Sequence, residues 1–592
     1  MAFYSFGPVL GDHSTTFRLW APKQGRIDIL IEGRSPEPMR RDENGWHILD
    51  LADAGAGTRY CFVLEDETEV PDPASRYQPN DIHGPSVVID AKAYQWKSPD
   101  WAGRPWAETV IYELHMGTFT EAGTFGAAIE KLDHLNELGI TAIQIMPLAD
   151  FRGSRNWGYD GVLPYAPDSS YGHPEDLRAL IDEAHLRSMS VFLDVVYNHL
   201  GPDGNYLPLY APIFTERHRS PWGAGINFDG DGSRAVRDFF IENALYWLHE
   251  FRFDGLRFDA VHAITDDSDE HIMHEISRRI REETNGRHIH LILENEENEA
   301  SLLERAPQGK PKHFTAQWND DMHHVLHVAA TGEHIGYYAD YAGDLKKLAL
   351  ALAEGFVYQG EVMPFRGTPR GAASAHLPPT AFIAFIQNHD QIGNRAYGDR
   401  LSASIDSIRL RALAAIYLLA PQIPMLFMGE EWGALEPFPF FCDFDDELNA
   451  AVREGRKSEL ARMPGFAGDA DDAPDPTQLE TFLSAKLRWE KRDTPAGTAR
   501  LAFYKSLLEL RCIHVQPLLD TLGTRPAAYE VGEGVVRVTW FAEGERRLTL
   551  MANFGDRDVQ MDVPPKANVF YPRGDVSVSW MSPWTMIWFT EP

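Results

Sequence analysis

Cysteine is scarce in this chain: three residues in 592, Cys61, Cys442 and Cys512, far apart and with no CxxC pair. That spacing excludes a disulfide framework and a cysteine-ligated zinc site. Long apolar runs are missing as well, so no stretch reads as a membrane span. The opening residues, MAFYSFGPVLGDH, carry no basic segment ahead of an apolar one, and the expected compartment is the cytoplasm. Positive charge is in deficit, 55 Lys and Arg against 88 Asp and Glu, for a net charge of −33. Nucleic acid and anionic membranes are therefore unsuitable partners. Internal repeats and low-complexity segments are lacking too. What the chain does have is apolar material, 44% hydrophobic and 11% aromatic; at this length that predicts two to four folded domains.

The first part, 1–98, alternates apolar and polar residues in short runs broken by Gly and Pro, the pattern of an antiparallel β-sandwich. A Pro-rich segment at 71–86 is too irregular for a strand and is expected to pack against the next domain. From about residue 108 strands alternate with amphipathic helices. Strand candidates fall at 110–114, 140–147, 191–196, 253–260, 289–294, 314–318, 381–387 and 424–428. Helices are expected with Phe125, Ile129, Leu132, Leu135 and Leu138 on one face, from Pro174, from Ser233 as N-cap to about Phe251, and over 502–511. Eight strands with intervening helices predict a (β/α)8 barrel over 99–515, with 201–232 as a long irregular loop. A hairpin at 535–540 and 547–552 opens a C-terminal antiparallel β-domain over 516–592.

In such a barrel, chemistry collects at the C-terminal strand ends. Four are rich in polar groups: Asp194-Val-Val-Tyr-Asn198-His199, Arg257-Phe-Asp259, Glu294, and Asn388-His389-Asp390. Strand periodicity puts Arg257 and Asp259 on one face, where the guanidinium can keep the carboxylate ionised. Asp259, Glu294 and Asp390 can converge on one mouth.

These motifs, in this order on eight alternations, resemble the alpha-amylase superfamily of glycoside hydrolases. The resemblance implies a retaining double displacement on an α-glucosidic bond, with Asp259 as nucleophile, Glu294 as acid/base and Asp390 as the carboxylate that fixes substrate hydroxyls. On this reading Asp259 stays charged beside Arg257 and Glu294 keeps its proton until the bond breaks. Tyr159, in Asn156-Trp-Gly-Tyr-Asp160, resembles the tyrosine that stacks under the glucose at the cleaved bond, and His199 and His389 resemble hydroxyl-binding histidines. Further stretches resemble the maltooligosyltrehalose trehalohydrolase family: Gln317-Trp-Asn-Asp320-Asp321-Met-His323-His324, Gly336-Tyr-Tyr338-Ala-Asp340, Phe365-Arg366, Gln387-Asn-His-Asp-Gln391, Gly429-Glu-Glu-Trp-Gly433 and 437–444. The chain departs from that family at Cys442, where a small polar residue is usual, and at Glu294-Asn-Glu-Glu, where a Glu-Ser or Glu-Asp pair is common.

The implied substrate is a maltooligosaccharide with a terminal trehalose, cut at the α-1,4 bond next to it. Asp194, Arg257, His262, Asp321, His324, Tyr338 and Gln391 complete the implied substrate-binding set, with Trp222, Phe365 and Arg366 at the trehalose end. No cofactor is implied. His323 and His327, four apart on a helix, lack the glutamate and third ligand of a zinc motif, so no metal is expected. Two alternatives stay open: a glucan branching enzyme, sharing the three carboxylates, and an inactive barrel serving as a glucan-binding scaffold.

Overall fold

The computed structural model describes residues 4–284, 286–462, 472–522, 526–560, 562–572 and 580–592. Among them, eight parallel strands close into a barrel: β1 Ile111–Leu114, β2 Ala142–Ile145, β3 Ser190–Val195, β4 Gly255–Phe258, β5 His290–Leu293, β6 Ala316–Trp318, β7 Phe382–Ala384 and β8 Ile423–Phe427. Each is a stave that the strand periodicity predicts, shortened at one or both ends or shifted by a residue. They are buried along their whole length, which is why they read as near-continuous apolar runs. Side chains of Ile111, Phe192, Ile292, Trp318, Phe385 and Met425 fill the interior, so the barrel is a packed core and not a pore.

Two antiparallel sheets precede the barrel. One is built on Thr15–Trp20 and Trp46–Leu51, the other on Asp28–Ile31 and Arg59–Val63. The Pro-rich segment after them is mostly buried and packs on the barrel as expected. The Arg76 guanidinium lies 4.8 Å from the Tyr165 ring and 4.3 Å from that of Tyr246. At the other end, Val535–Phe541 and Arg547–Asn553 pair as the centre of a five-stranded antiparallel sheet. Its Trp540 and Trp588 indoles donate to the carbonyls of Leu352 and Ala415 on barrel helices.

Four local expectations are corrected. Residues 125–138 form two helices, Phe125–Ile129 and Leu132–Leu138. Ser233 is the first residue of its helix and the cap is Gly232, whose φ of 76° suits glycine. The late helix spans Pro495–Leu510, opened by the Thr494 hydroxyl, which accepts from the Gly497 amide. The loop 201–232 holds a hairpin, Phe214–Ser220 with Gly223–Ile226, whose turn carries Trp222. Alternation is weak there because the hairpin is exposed on both faces.

Candidate active site

Arg257 is the hub of the mouth. It sits on β4 opposite Asp194 of β3 in the parallel register, and its guanidinium is fully buried with Cζ 4.1 Å from the Trp318 ring centre. Nη1 donates to both Asp194 oxygens at 2.9 and 2.8 Å and to Asp259 Oδ1 at 2.8 Å, while Nη2 donates to Glu294 Oε2 at 2.7 Å. One cation is thus shared by three carboxylates. The sequence pairing of Arg257 with Asp259 alone is only a third of the arrangement.

That sharing shifts the two carboxyls in directions opposite to those expected. Asp259 is driven well above the usual carboxylate range by burial, then by the Glu294 charge, and the divided attention of Arg257 does not offset them. Glu294 is also penalised by burial but ends below its usual value, because Arg257, the Ala260 amide and His262 favour its charge. The two shifts run in opposite directions, so a proton shared by this pair is favoured on the Asp259 side. Asp194, raised by burial to about 6, remains the third member of the cluster.

The chain takes up strain to build this contact. Ala260, directly after Asp259, adopts φ 39° and ψ 49°, a left-handed conformation that costs a non-glycine residue energy. The strained turn points the Ala260 amide at Glu294 Oε2, 2.9 Å away, and lets Val261 N–H reach the Glu294 carbonyl at 3.0 Å. On its other side Asp259 Oδ2 accepts from Asn198 Nδ2 at 3.1 Å. Asn198 also fixes His199 through Nδ1 at 2.8 Å, and His199 Nε2 meets the Tyr159 carbonyl at 2.9 Å. Burial lowers His199 to about 4. The Trp222 indole stacks on that ring, centroids 4.8 Å apart and planes at 12°.

Tyr159 is held from several sides. Its hydroxyl donates to Asp194 Oδ2 at 2.8 Å and meets His389 Nε2 at 2.8 Å. Gly158 precedes it at φ 103°, and a Cβ there would lie 2.2 Å from the Pro147 carbonyl oxygen, so only glycine lets the loop approach β2 this closely. His389 is buried against Glu113 of β1, whose carboxylate receives the ring Nδ1 at 2.7 Å and the His389 amide at 3.2 Å. Burial lowers the imidazole, but the Asp390 and Glu113 charges more than offset it and raise His389 to about 9. Asp390 itself is a third open at 34% side-chain exposure, with an oxygen 3.4 Å from His389 Nε2. Its backbone is set by Asn388, which caps the helix His389–Gly393 in a reciprocal box with Gln391.

Glu113 and Asp320 are the two groups that sequence reasoning missed. A carboxylate within an apolar strand was the available signal for Glu113. Asp320 opens the helix Asp320–Thr331 after β6. Its Oδ1 accepts from Gln391 Nε2 at 3.2 Å, and burial, followed by the Glu294 charge, raises it to about 8. Asp321, the neighbour assigned to substrate, points the other way. It has no exposure and accepts from Arg370 at 2.6 Å, Tyr341 at 2.6 Å, the Val357 amide at 2.8 Å and Asn298 at 3.1 Å. Both of its oxygens are thus engaged by groups inside the protein.

Other assigned residues divide similarly. Tyr338 is buried with its hydroxyl on His323 Nε2, and the neighbouring Tyr337 is the exposed ring. His324 is packed among Tyr337, Tyr338 and Tyr341 and is held neutral by burial. Arg366 is paired with Glu297, and Phe365 is exposed with its amide on Asp340. His262 Nδ1 accepts from the Glu296 amide at 3.2 Å. His323 and His327 are spoken for by the Ile386 carbonyl and Glu333.

Known proteins were compared with this chain. The family profile described as "Alpha amylase, catalytic domain" matches residues 102–208. A malto-oligosyltrehalose trehalohydrolase of Saccharolobus solfataricus is 42% identical over 86% of this chain and 87% of its own length. The enzyme of the same name from Deinococcus radiodurans is 44% identical over 85% of this chain and 82% of its own length. The crystal structure of a Salmonella typhimurium protein, described as a candidate alpha amylase, is 46% identical, with a TM-score of 0.95 over the full length of both chains.

Proposed function

The chain belongs to the malto-oligosyltrehalose trehalohydrolase family of glycoside hydrolases, and from that premise we propose that it hydrolyses the α-1,4-glucosidic bond next to the terminal trehalose of a maltooligosyltrehalose. The observation that carries this reading is the single Arg257 guanidinium gripping Asp259 and Glu294 on its two terminal nitrogens. Carboxyls bridged by the two terminal nitrogens of one guanidinium lie close together, which favours retention over inversion.

On this reading a glucose ring enters above Tyr159 and separates Asp259 from Glu294. The shared proton passes to Glu294, and Asp259 becomes a free carboxylate still held by Arg257 and Asn198. Asp259 attacks the anomeric carbon as Glu294 protonates the departing oxygen, and trehalose leaves. Glu294, now ionised, takes a proton from water, whose oxygen displaces Asp259 from the glycosyl ester. Asp390 and the His389 imidazolium bind hydroxyls of the distorted ring. Asp320, protonated near neutrality, offers a hydroxyl donor where another anion would repel Glu294 and Asp390.

Product analysis tests the assignment. Incubation with maltooligosyltrehalose is expected to give free trehalose and a shortened maltooligosaccharide. New α-1,6 branches on amylose without trehalose release would mean a branching enzyme, and no turnover at all would mean a scaffold.

A further inference from the structure

The opposite end of the barrel carries a feature at odds with the rest of the molecule. In a chain of net charge −33, a half-open cavity of about 910 Å³ under the N-terminal ends of β5 and β6 is walled by Arg281, Arg287, Arg305 and Lys310, with Asp520 as its sole lining carboxylate among the described residues. Arg287 is matched by Asp254, 3.3 Å away. Arg281 and Arg305 are not matched. Their guanidiniums donate only to main-chain carbonyls, Arg281 Nε to His313 at 3.0 Å, and Arg305 to Leu303 at 2.5 Å and Thr315 at 2.7 Å. Burial and then the Arg281 charge lower Arg305 to about 10, and burial lowers Arg281 as well. Lys310 stands at the rim on a tight turn closed by the Ala306 amide and the Lys310 carbonyl at 2.8 Å. Its ammonium has no ion pair among the described residues.

With Asp520 set against one of the three unmatched cations, two positive charges remain, which a phosphate dianion would neutralise and a monocarboxylate would not. Guanidiniums in fixed orientation suit the oxygens of phosphate, and the volume exceeds what phosphate alone fills. On one wall the Trp106 indole, fixed by its bond to the Thr380 carbonyl at 2.7 Å, gives a flat apolar surface for the rest of a ligand. We propose that this cavity binds a small organic phosphate, at a site separated from the catalytic carboxylates by the length of the barrel.

The test is calorimetric titration of the full chain with inorganic phosphate, glucose 6-phosphate and ADP. The last two separate a sugar phosphate from a nucleotide. Saturable binding of at least one ester is expected below about 1 mM, weakened about tenfold by Lys310→Gln and by Arg281→Gln, with trehalose release unchanged in both variants. Lys310 makes no bond that the fold needs, so its variant isolates the charge. Failure of both esters to saturate, binding of inorganic phosphate alone, or undiminished affinity in Lys310→Gln would overturn the proposal.

Discussion

Asp320→Asn tests the electrostatics of the cleft most directly. Asparagine keeps the size and the hydrogen-bond donor of a protonated carboxyl and cannot ionise. With a pKa of about 8, the carboxyl is protonated in about nine molecules in ten at pH 7 and about one in ten at pH 9. If the protonated form is the active one, wild-type kcat/KM falls about tenfold between those pH values from this group alone. The variant is expected to stay within about threefold of wild type at pH 7 and to hold its activity until His389 loses its proton near 9. Stability supplies a second readout. The folded protein keeps this proton up to about 8, whereas the unfolded chain releases it near 4, so between those values rising pH costs stability. Each unit is worth about 1.4 kcal/mol; Asp320 is partly open to solvent, which leaves about 1–2 kcal/mol. Asp320→Asn should therefore resist urea better than wild type at pH 7 and equally at pH 4. A loss of about 100-fold at pH 7 with the alkaline limb unmoved would show that Asp320 works as an anion, and the reasoning would fail.

Three further outcomes are expected. Glu294→Gln should abolish cleavage of the natural substrate yet retain more activity on an aryl glycoside with a good leaving group, whereas Asp259→Asn should lose about 10⁴-fold or more on both; parallel losses in Glu294→Gln would remove it as the acid. Glu113→Gln removes one of the two anions that raise His389, so the imidazole should deprotonate about one unit lower, read as a shifted histidine resonance and an earlier alkaline fall in kcat/KM; an unmoved resonance would contradict the pairing. Asp321→Asn weakens the pairing of buried Arg370 and should cost about 3 kcal/mol in denaturant unfolding, with kcat of the folded fraction nearly unchanged; full stability with lost activity would return Asp321 to the substrate.

Much of this architecture is local information. Strand and helix periods depend on neighbours a few residues apart, so all eight staves and the strand-end positions of Asp259 and Glu294 are legible from the chain alone, as is the likeness to a glycosidase family; Asp390, read as a strand end, lies in the short helix His389–Gly393 after β7. What a residue meets across the barrel is another matter. Arg257 and Asp259 are two residues apart and invite pairing; only closure of β3, β4 and β5 brings in Asp194 and Glu294 and divides one positive charge among three carboxylates. Asp320 and Asp321 are adjacent, and the rotation of one helix about its axis sends the first into the cleft and the second into the interior. Glu113 and His389 lie 276 residues apart. The elements could be read from the chain because they follow from short-range periodicity, and the candidate reacting groups because their motifs resemble a known family. How one guanidinium is divided among three carboxylates, and in which direction each carboxyl is shifted, came only with the tertiary structure, because burial and Coulomb interactions depend on distances that only the closed barrel sets.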